Sequence, residues 1–348
     1  MALAFSILLA ACGSTTAPTP TAEITPSPTA TPSQTPSLTP DPTPSGLPAG
    51  MAYADLDGVV VSEELAHRLP MAIMIDDNKP ARPQSGFSSA SIVYQAPADG
   101  GEDRYMMVFQ EGTASDIGPV RSARPYFVYW AAEYKALYGH YGGDSESLNS
   151  VIPSLSSAIY DMDALRSGGA CPYHRITTRP MPHNGYTNSQ ALIDCLLKRG
   201  IPSTYQDTPV RQFKDDAPAE QRPASGSITV PYPTGTISYT YDPATNSYAR
   251  FIAGKAQIDL ANNEPVKPRN VVVLFQALSY KADKRPVVAN VGSDKALIFR
   301  DGTVILGTWK KDSKTDLTRL YDSTGVEIEL VRGQIFIQSV PLTTKVTY

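Results

Sequence analysis

The sequence predicts an α+β protein in which a mixed α/β segment, residues 51–210, precedes a β-rich segment, residues 222–348. Three observations predict it. From Pro70 to about Arg199, short apolar runs of strand length are interleaved with helical patterns, as in a layered α/β domain. Residues 203–226 are then polar and Pro-rich, with Asp215-Asp216-Ala217-Pro218-Ala219-Glu220 at their centre, and read as a boundary. Beyond them the pattern turns to strands separated by Gly and Asp turns, without a helical period.

Residues 51–70 read as a lead-in, with a turn and short strand at Leu56-Asp57-Gly58-Val59-Val60-Val61. Met71 to Ile75, Ser91 to Gln95 and Tyr105 to Phe109 read as buried strands. A helix is expected from about Ala123-Arg124-Pro125 to Lys135, with Pro tolerated in its first turn. Leu137 to His140 is a short strand, and Ser145 to Ile152 and Asn188 to Arg199 are helices. The last of these is ended by Gly200 and Pro202. In the second segment, 227–230, 237–241 and 270–275 are strands. Asp301-Gly302 between 296–300 and 303–309 is a strong hairpin signal. Leu317 to Tyr321, Val326 to Leu330 and Gln334 to Val340 are expected to continue as a meander.

The N-terminus has another organisation. Leu3 to Ala11 is a short apolar run ending in Leu9-Ala10-Ala11-Cys12, the lipobox pattern of an aliphatic residue, two small residues and Cys. A run this short suits a cleaved signal rather than a membrane span, which needs about 20 apolar residues. Residues 1–12 are therefore expected to be a signal peptide, with a lipid on Cys12 anchoring the mature chain outside the cell membrane. No Lys or Arg precedes the run, so translation is expected to start upstream. Residues 13–50 are almost entirely Thr, Pro, Ser, Ala and Gly. They have too little apolar surface to offset ordering and are expected to form a disordered stalk. In polyproline II conformation it would reach roughly 110 Å at about 3.1 Å per residue.

A net charge of −4 provides no field to attract nucleic acid, so none is expected as a partner. If Cys12 is acylated, Cys171 and Cys195 remain, and outside the membrane a disulfide between them is allowed. The alternative is that Cys195 is a small core group in its helix.

Several strings in the chain resemble one family. They are Pro70-Met71-Ala72-Ile73-Met74-Ile75-Asp76-Asp77-Asn78, Ala81-Arg82-Pro83-Gln84-Ser85-Gly86, Gly118-Pro119-Val120-Arg121-Ser122-Ala123-Arg124-Pro125 and Pro182-His183-Asn184. Asp301-Gly302, Gly307-Thr308-Trp309-Lys310-Lys311 and Gly333-Gln334 follow in the second segment. Together they resemble the YerB-like lipoproteins, the DUF3048 family. The resemblance implies two domains and export as a lipoprotein, and it implies no reaction. The chain departs from the family at Cys171-Pro172-Tyr173-His174-Arg175, so an acidic role there does not carry over.

Ligands of open α/β sheets gather beyond the carboxyl ends of strands. Asp76, Asp77 and Asn78 follow the first strand, Gln110 and Glu111 the third, and His140 the fourth. Arg121 and Arg124 stand at the expected helix entry, where a first turn starting at Arg121 would put them on one face. Two guanidinium groups and a helix N-terminus suit a carboxylate, phosphate or sulfate. The competing reading pairs them structurally with Glu111, Asp116 or Asp76. His183 and Asn184 either bind a loop or line the cleft, and Arg82 is a further candidate. His140, His174 and His183 match no metal spacing, so no metal or cofactor is expected. There is no Gly-x-Ser-x-Gly elbow, P-loop or dinucleotide fingerprint. Trp309 could stack on a sugar but more often belongs to a sheet core.

The leading expectation is a tethered module that binds a glycan or an anionic wall component. Its rivals are an envelope hydrolase using Asp76, Glu111 or His140, and a scaffold that binds protein through the β segment. Replacing Cys12 by Ala should leave an unprocessed or released protein, whereas wild type should partition with membranes. Mass spectrometry finding an unmodified Cys12 in mature protein would contradict the anchor.

Overall fold

Fourteen strands and two helices position the candidate site. In chain order they are β1 (Met71–Asp76), β2 (Ile92–Pro97), β3 (Asp103–Phe109), α1 (Pro125–Ala132), β4 (Leu137–His140), β5 (Tyr160–Asp163) and α2 (Ser189–Lys198). Then come β6 (Ser227–Val230), β7 (Ile237–Asp242), β8 (Ser247–Ile252), β9 (Lys255–Ala256) and β10 (Asn270–Gln276). The last are β11 (Gly292–Arg300), β12 (Thr303–Lys311), β13 (Arg319–Tyr321) and β14 (Ile335–Pro341). The computed structural model describes residues 46–166 and 173–348, and Leu47–Tyr348 form one compact unit. Cys12, the lipobox, the stalk as far as residue 45 and Cys171 lie outside the described residues.

Ten strands form one mixed sheet in the order β13-β12-β11-β10-β14-β2-β3-β1-β4-β5. Strands from both sequence segments therefore share a sheet. The joint is β14, which pairs in parallel with β10 on one side and with β2 on the other, Ile335 opposite Ile92. This corrects the expected meander. The strand at 335–341 leaves its sequence neighbours and returns to the middle of the sheet, where β10 and β2 pair with its two edges and hydrophobic cores cover its two faces. Of the expected strand at 326–330 only Leu330 lies in a ladder, which continues to Val331 and pairs with Phe213–Lys214.

Burial on both faces also explains why β1 reads as a continuous apolar run. Ala72 and Met74 face a core under α1, while Met71, Ile73 and Ile75 face one containing Leu192, Cys195 and Leu196 of α2. The α1 core runs on past the segment boundary to Val272, Leu274, Ile298, Trp309 and Ile337. Trp309 is 2% exposed and donates its indole N–H to the Phe275 carbonyl, so it is core rather than a stacking platform. A second antiparallel sheet, β6-β7-β8-β9, packs Ile228, Tyr239 and Tyr248 against Val271, Val273 and Phe299.

Local signals work where turns and caps decide. Asp301 and Gly302 have φ of 51° and 74°, the left-handed pair that an Asp-Gly hairpin turn requires. Asn188 caps α2 by accepting from the Ala191 N–H at 2.8 Å. Cys195 is buried and disulfide-bonded, which decides against a plain core thiol.

A buried ionic cluster ties α1 to the second segment. Glu133, just after α1, accepts from Lys311 Nζ at 2.9 Å, Thr318 Oγ1 at 2.6 Å and the Thr318 N–H at 3.1 Å. Arg211 lies 3.6 Å away, and both Glu133 and Lys311 side chains are fully buried. Glu133→Gln should therefore strand two buried cations and cost about 3–5 kcal/mol. Urea unfolding would measure it, and adding Lys311→Met should recover part of the loss.

Candidate functional site

In an extended chain successive side chains point to opposite faces. Asp76 and Asp77, where β1 ends, obey this and build two different environments. Asp76 is fully buried. Its Oδ1 accepts from Asn78 Nδ2 at 2.8 Å, and its Oδ2 lies 2.8 Å from His183 Nδ1 and 3.2 Å from Arg121 Nε. The Arg121 contact is an ion pair without an aligned hydrogen bond. A carboxylate at Nδ1 makes that nitrogen the donor and leaves Nε2 as the basic nitrogen of a neutral ring. Asp76, Asn78, Arg121 and His183 are thus brought together, as an Asp–His dyad flanked by a cation.

The remaining expected residues lie elsewhere. Residues 117–123 do not start a helix. They run extended beside β1, with the Arg121 N–H on the Met74 carbonyl and the Ala123 N–H on the Gly142 carbonyl. Three residues apart in extended chain, Arg121 and Arg124 point opposite ways. Arg124 pairs with Asp99, its Nε 3.0 Å from Oδ1, and lies 3.7 Å from Asp144. That is the structural pairing, with a different acid from those expected. His140 is buried between Asp161 at 2.7 Å and the Gly142 carbonyl at 2.8 Å. Asn184 accepts from Arg175 and donates to the Ile176 carbonyl, so it holds a loop. Glu111 sits at the other end of the sheet, because β3 runs antiparallel to β1 and places Phe109 opposite Met71. There it accepts from the Ser91 hydroxyl at 2.8 Å, and burial pushes its carboxyl up. Among the described residues, no three His, Cys, Asp or Glu side chains are grouped to hold a metal ion.

The opposite environment is built on Asp77, also fully buried. Its Oδ1 accepts from Arg82 Nε at 2.8 Å and Gln84 Nε2 at 2.9 Å. Burial pushes this carboxyl up, and Arg82 opposes the shift. Arg82 and Gln84 line a cavity of about 830 Å³. Lys79, Pro83, Gly101 and Glu102 line it from the first segment; Pro233, Thr234, Ile252 and Lys255 to Ile258 line it from the second. Lys79, Arg82 and Lys255 face it against one acid, Glu102.

Behind the cavity lies a polar interior that sequence reasoning missed. Arg250 is 1% exposed. Its guanidinium donates to Tyr239, Gln257 and Gln95 and lies 4.5 Å above the Phe336 ring. Asp103, fully buried, accepts from the Thr234 hydroxyl. Burial pushes its carboxyl up to about 8; Thr234 opposes this and Asp77 adds to it. Asp103 and Arg250 carry no sequence signal, because each looks like an ordinary charge in a strand until the two sheets close over it. Asp77 was visible beside Asp76, but only the strand face separates their roles.

Family models cover most of the compact unit. Residues 56–202 match "Protein of unknown function (DUF3048) N-terminal domain", and residues 228–337 match the corresponding C-terminal domain. The chain belongs to the YerB-like DUF3048 family. It is 30% identical over 269 residues to "Putative lipoprotein YerB" of Bacillus subtilis (strain 168), covering 74% of this chain and 78% of that protein. The crystal structure of YerB from Bacillus subtilis matches with a TM-score of 0.75 at 26% identity, covering 85% of this chain and 100% of that one. In this member of the DUF3048 family, the cavity is walled by residues from both matched segments.

Asp103 has a signature in pH. Its ordinary value is 3.8, so between about pH 4 and 8 the folded chain keeps a proton that the unfolded chain has lost. Its contribution to stability is full below pH 4 and falls as pH rises towards 8. Asp103→Asn should remove that fall, gaining roughly 2–4 kcal/mol on wild type between pH 5 and pH 8. Urea unfolding of both proteins at the two pH values tests it, and parallel curves would contradict it.

Proposed function

We propose that the protein is a lipid-anchored, extracytoplasmic binding module that holds an anionic component of the cell envelope in the cavity beside β1. The observation that carries this reading is the cavity's charge: Lys79, Arg82 and Lys255 against Glu102 alone. Neither lysine has an ion-pair partner among the described residues, and Arg82 is held in place by Asp77. Two lysines that no acid neutralises favour an anionic ligand over a neutral one. The site thus moves from Arg121 and Arg124, which are paired within the protein, to the two lysines on the cavity rim, Lys79 and Lys255. Anchoring rests on Leu9-Ala10-Ala11-Cys12, the stalk behind it and the lipoprotein name of the Bacillus subtilis relative.

A second reading rests on the Asp76–His183 contact of 2.8 Å. A buried carboxylate that orients a half-buried imidazole is the arrangement of a general base, and it supports hydrolysis of a phosphoanhydride linkage in an anionic envelope component. The two readings separate in one experiment. The intact protein is titrated calorimetrically with inorganic polyphosphate, and the recovered polyphosphate is then analysed by mass spectrometry. Binding that weakens about tenfold or more in Lys79→Ala/Lys255→Ala, and again on raising salt, with ligand unchanged in mass, supports the binding module. Cleavage that is lost in His183→Gln supports the hydrolase. Unaltered binding by the double-lysine variant overturns the anionic site.

A further inference from the structure

The polar groups along the cavity wall are largely bonded within the protein already. Arg82 spends its Nε on Asp77, and Thr234 donates its hydroxyl to Asp103. Gln84 and Gln257 stand behind the surface, 0% and 5% exposed, with their amides turned to Asp77 and Arg250. The main chain is occupied too. Arg179 donates to the Pro83 carbonyl at 2.6 Å, and the Leu260 N–H to the Gln84 carbonyl at 2.8 Å. The Glu102 N–H donates to Asp99, and its carbonyl accepts from Ala98. The Ala253 N–H is on the Thr236 carbonyl. Gln257 donates its N–H to the Arg250 carbonyl and accepts from the Val266 N–H, each at 2.9 Å. Pro83 and Pro233 have no N–H to offer.

Two kinds of surface are left for a ligand. Pro83, Pro233, Ala253 and Ala256 are exposed and Ile258 is half-buried, and together they present hydrocarbon. Lys79 and Lys255, both exposed, present charge. A polyol would exchange water for a wall with few free partners, which costs free energy at each hydroxyl that goes unbonded. An inorganic anion meets the lysines and leaves the hydrocarbon wet. A neutral apolar molecule covers the hydrocarbon and gains nothing from the lysines. The complement of both surfaces is an anion carried on an apolar body. The volume of about 830 Å³ lies within the range of small-molecule sites, about 300–1,000 Å³.

We infer that the occupant is a phosphate monoester of a hydrocarbon, with its phosphate between Lys79 and Lys255 and its hydrocarbon against the wall of Pro83, Pro233 and Ile258. This rests on the anionic reading above and adds the apolar body. Two lysines match the double charge of a phosphate monoester, whereas a carboxylate carries one. The lysines supply attraction at a distance, and burial of the hydrocarbon supplies affinity that salt does not screen. Free alkyl phosphates and the head of a phosphate-bearing lipid share this chemistry.

The test is calorimetric titration of the full chain carrying Cys12→Ala, so that no lipid interferes. The probes are hexyl phosphate, glycerol 3-phosphate, inorganic phosphate, hexanoate and hexanol. Hexyl phosphate should bind about tenfold or more tightly than the other two phosphates, the gain from burying about two methylene groups. Its binding should also have the more negative heat capacity change, the mark of apolar burial. Hexanoate and hexanol should both bind more weakly than hexyl phosphate. Ile258→Asn should remove most of the advantage of hexyl phosphate and leave inorganic phosphate unchanged, which also controls for folding. Sedimentation with phosphatidylcholine vesicles only when they contain phosphatidic acid would identify a lipid as the source, and its absence a free alkyl phosphate. Equal affinity for the three phosphates, or an advantage that Ile258→Asn leaves intact, would overturn this inference and leave the anionic site standing. Hexanoate binding more tightly than hexyl phosphate would overturn the choice of phosphate. Hexanol binding as tightly as hexyl phosphate, or binding of no probe, would overturn both readings.

Discussion

The molecule depends on the insertion of its last strand, β14, between β10 and β2. Ile335 to Gln338 pair in parallel with Ile92 to Gln95, across a sequence distance of 243 residues at Gln338 and Gln95. Without that ladder the sheet would fall into two parts, each with an open apolar edge, an arrangement prone to association. With it, the core under α1 runs unbroken from Ala72 to Ile298 and Ile337. The two segments that the family models separate are thereby one folded body. Residues 203–226, with the look of a linker, contain Phe213–Lys214, which pair in parallel with Leu330–Val331.

The same insertion creates the cavity. Phe336 of β14 forms the platform under the Arg250 guanidinium, which reaches Gln95 of β2. Tyr232, just before β7, donates to the Ser339 carbonyl at 2.8 Å. These contacts hold the small sheet, β6 to β9, against the main one. The gap left between the β8–β9 turn and the Lys79–Gln84 loop is the cavity. Burying Arg250 and Asp77 this deeply is costly unless each is bonded, and each is bonded mainly to polar side chains that also shape the cavity floor. The polar interior therefore locks the two sheets together and backs the floor of the cavity.

On the other face of β1, Asp76 shows how strand alternation divides function between adjacent residues. One carboxyl organises His183 and Arg121, and its neighbour organises Arg82 and Gln84. The identical pair Asp76-Asp77 was legible in the sequence as a polar strand end. The grouping of Asp76 with Arg121 was legible too, since both follow or flank β1. The grouping with Arg124 and Glu111 was not. Helical geometry was assumed for 121–124 where the chain is extended, and parallel geometry for β1 and β3 where the register is antiparallel. Periodicity reports which residues are buried but not the direction in which neighbouring strands run.

By itself the sequence determined the strands at 71–76, 92–97 and 103–109, the capped helix at 189–198 and the Asp301-Gly302 hairpin. Each depends on residues within about one element's length: an unbroken apolar run, a capping Asn, a turn that only certain residues adopt. Tertiary structure alone decided that β14 joins two segments, that Arg124 and His140 are spent on internal acids, and that Lys79, Arg82, Gln84, Lys255 and Gln257 line one cavity. Those outcomes depend on strand direction and on side chains more than 150 residues apart meeting, as Arg250 meets Gln95 across 155. Local pattern carries no record of either, because a buried charge and an exposed one are the same letter until the sheets close.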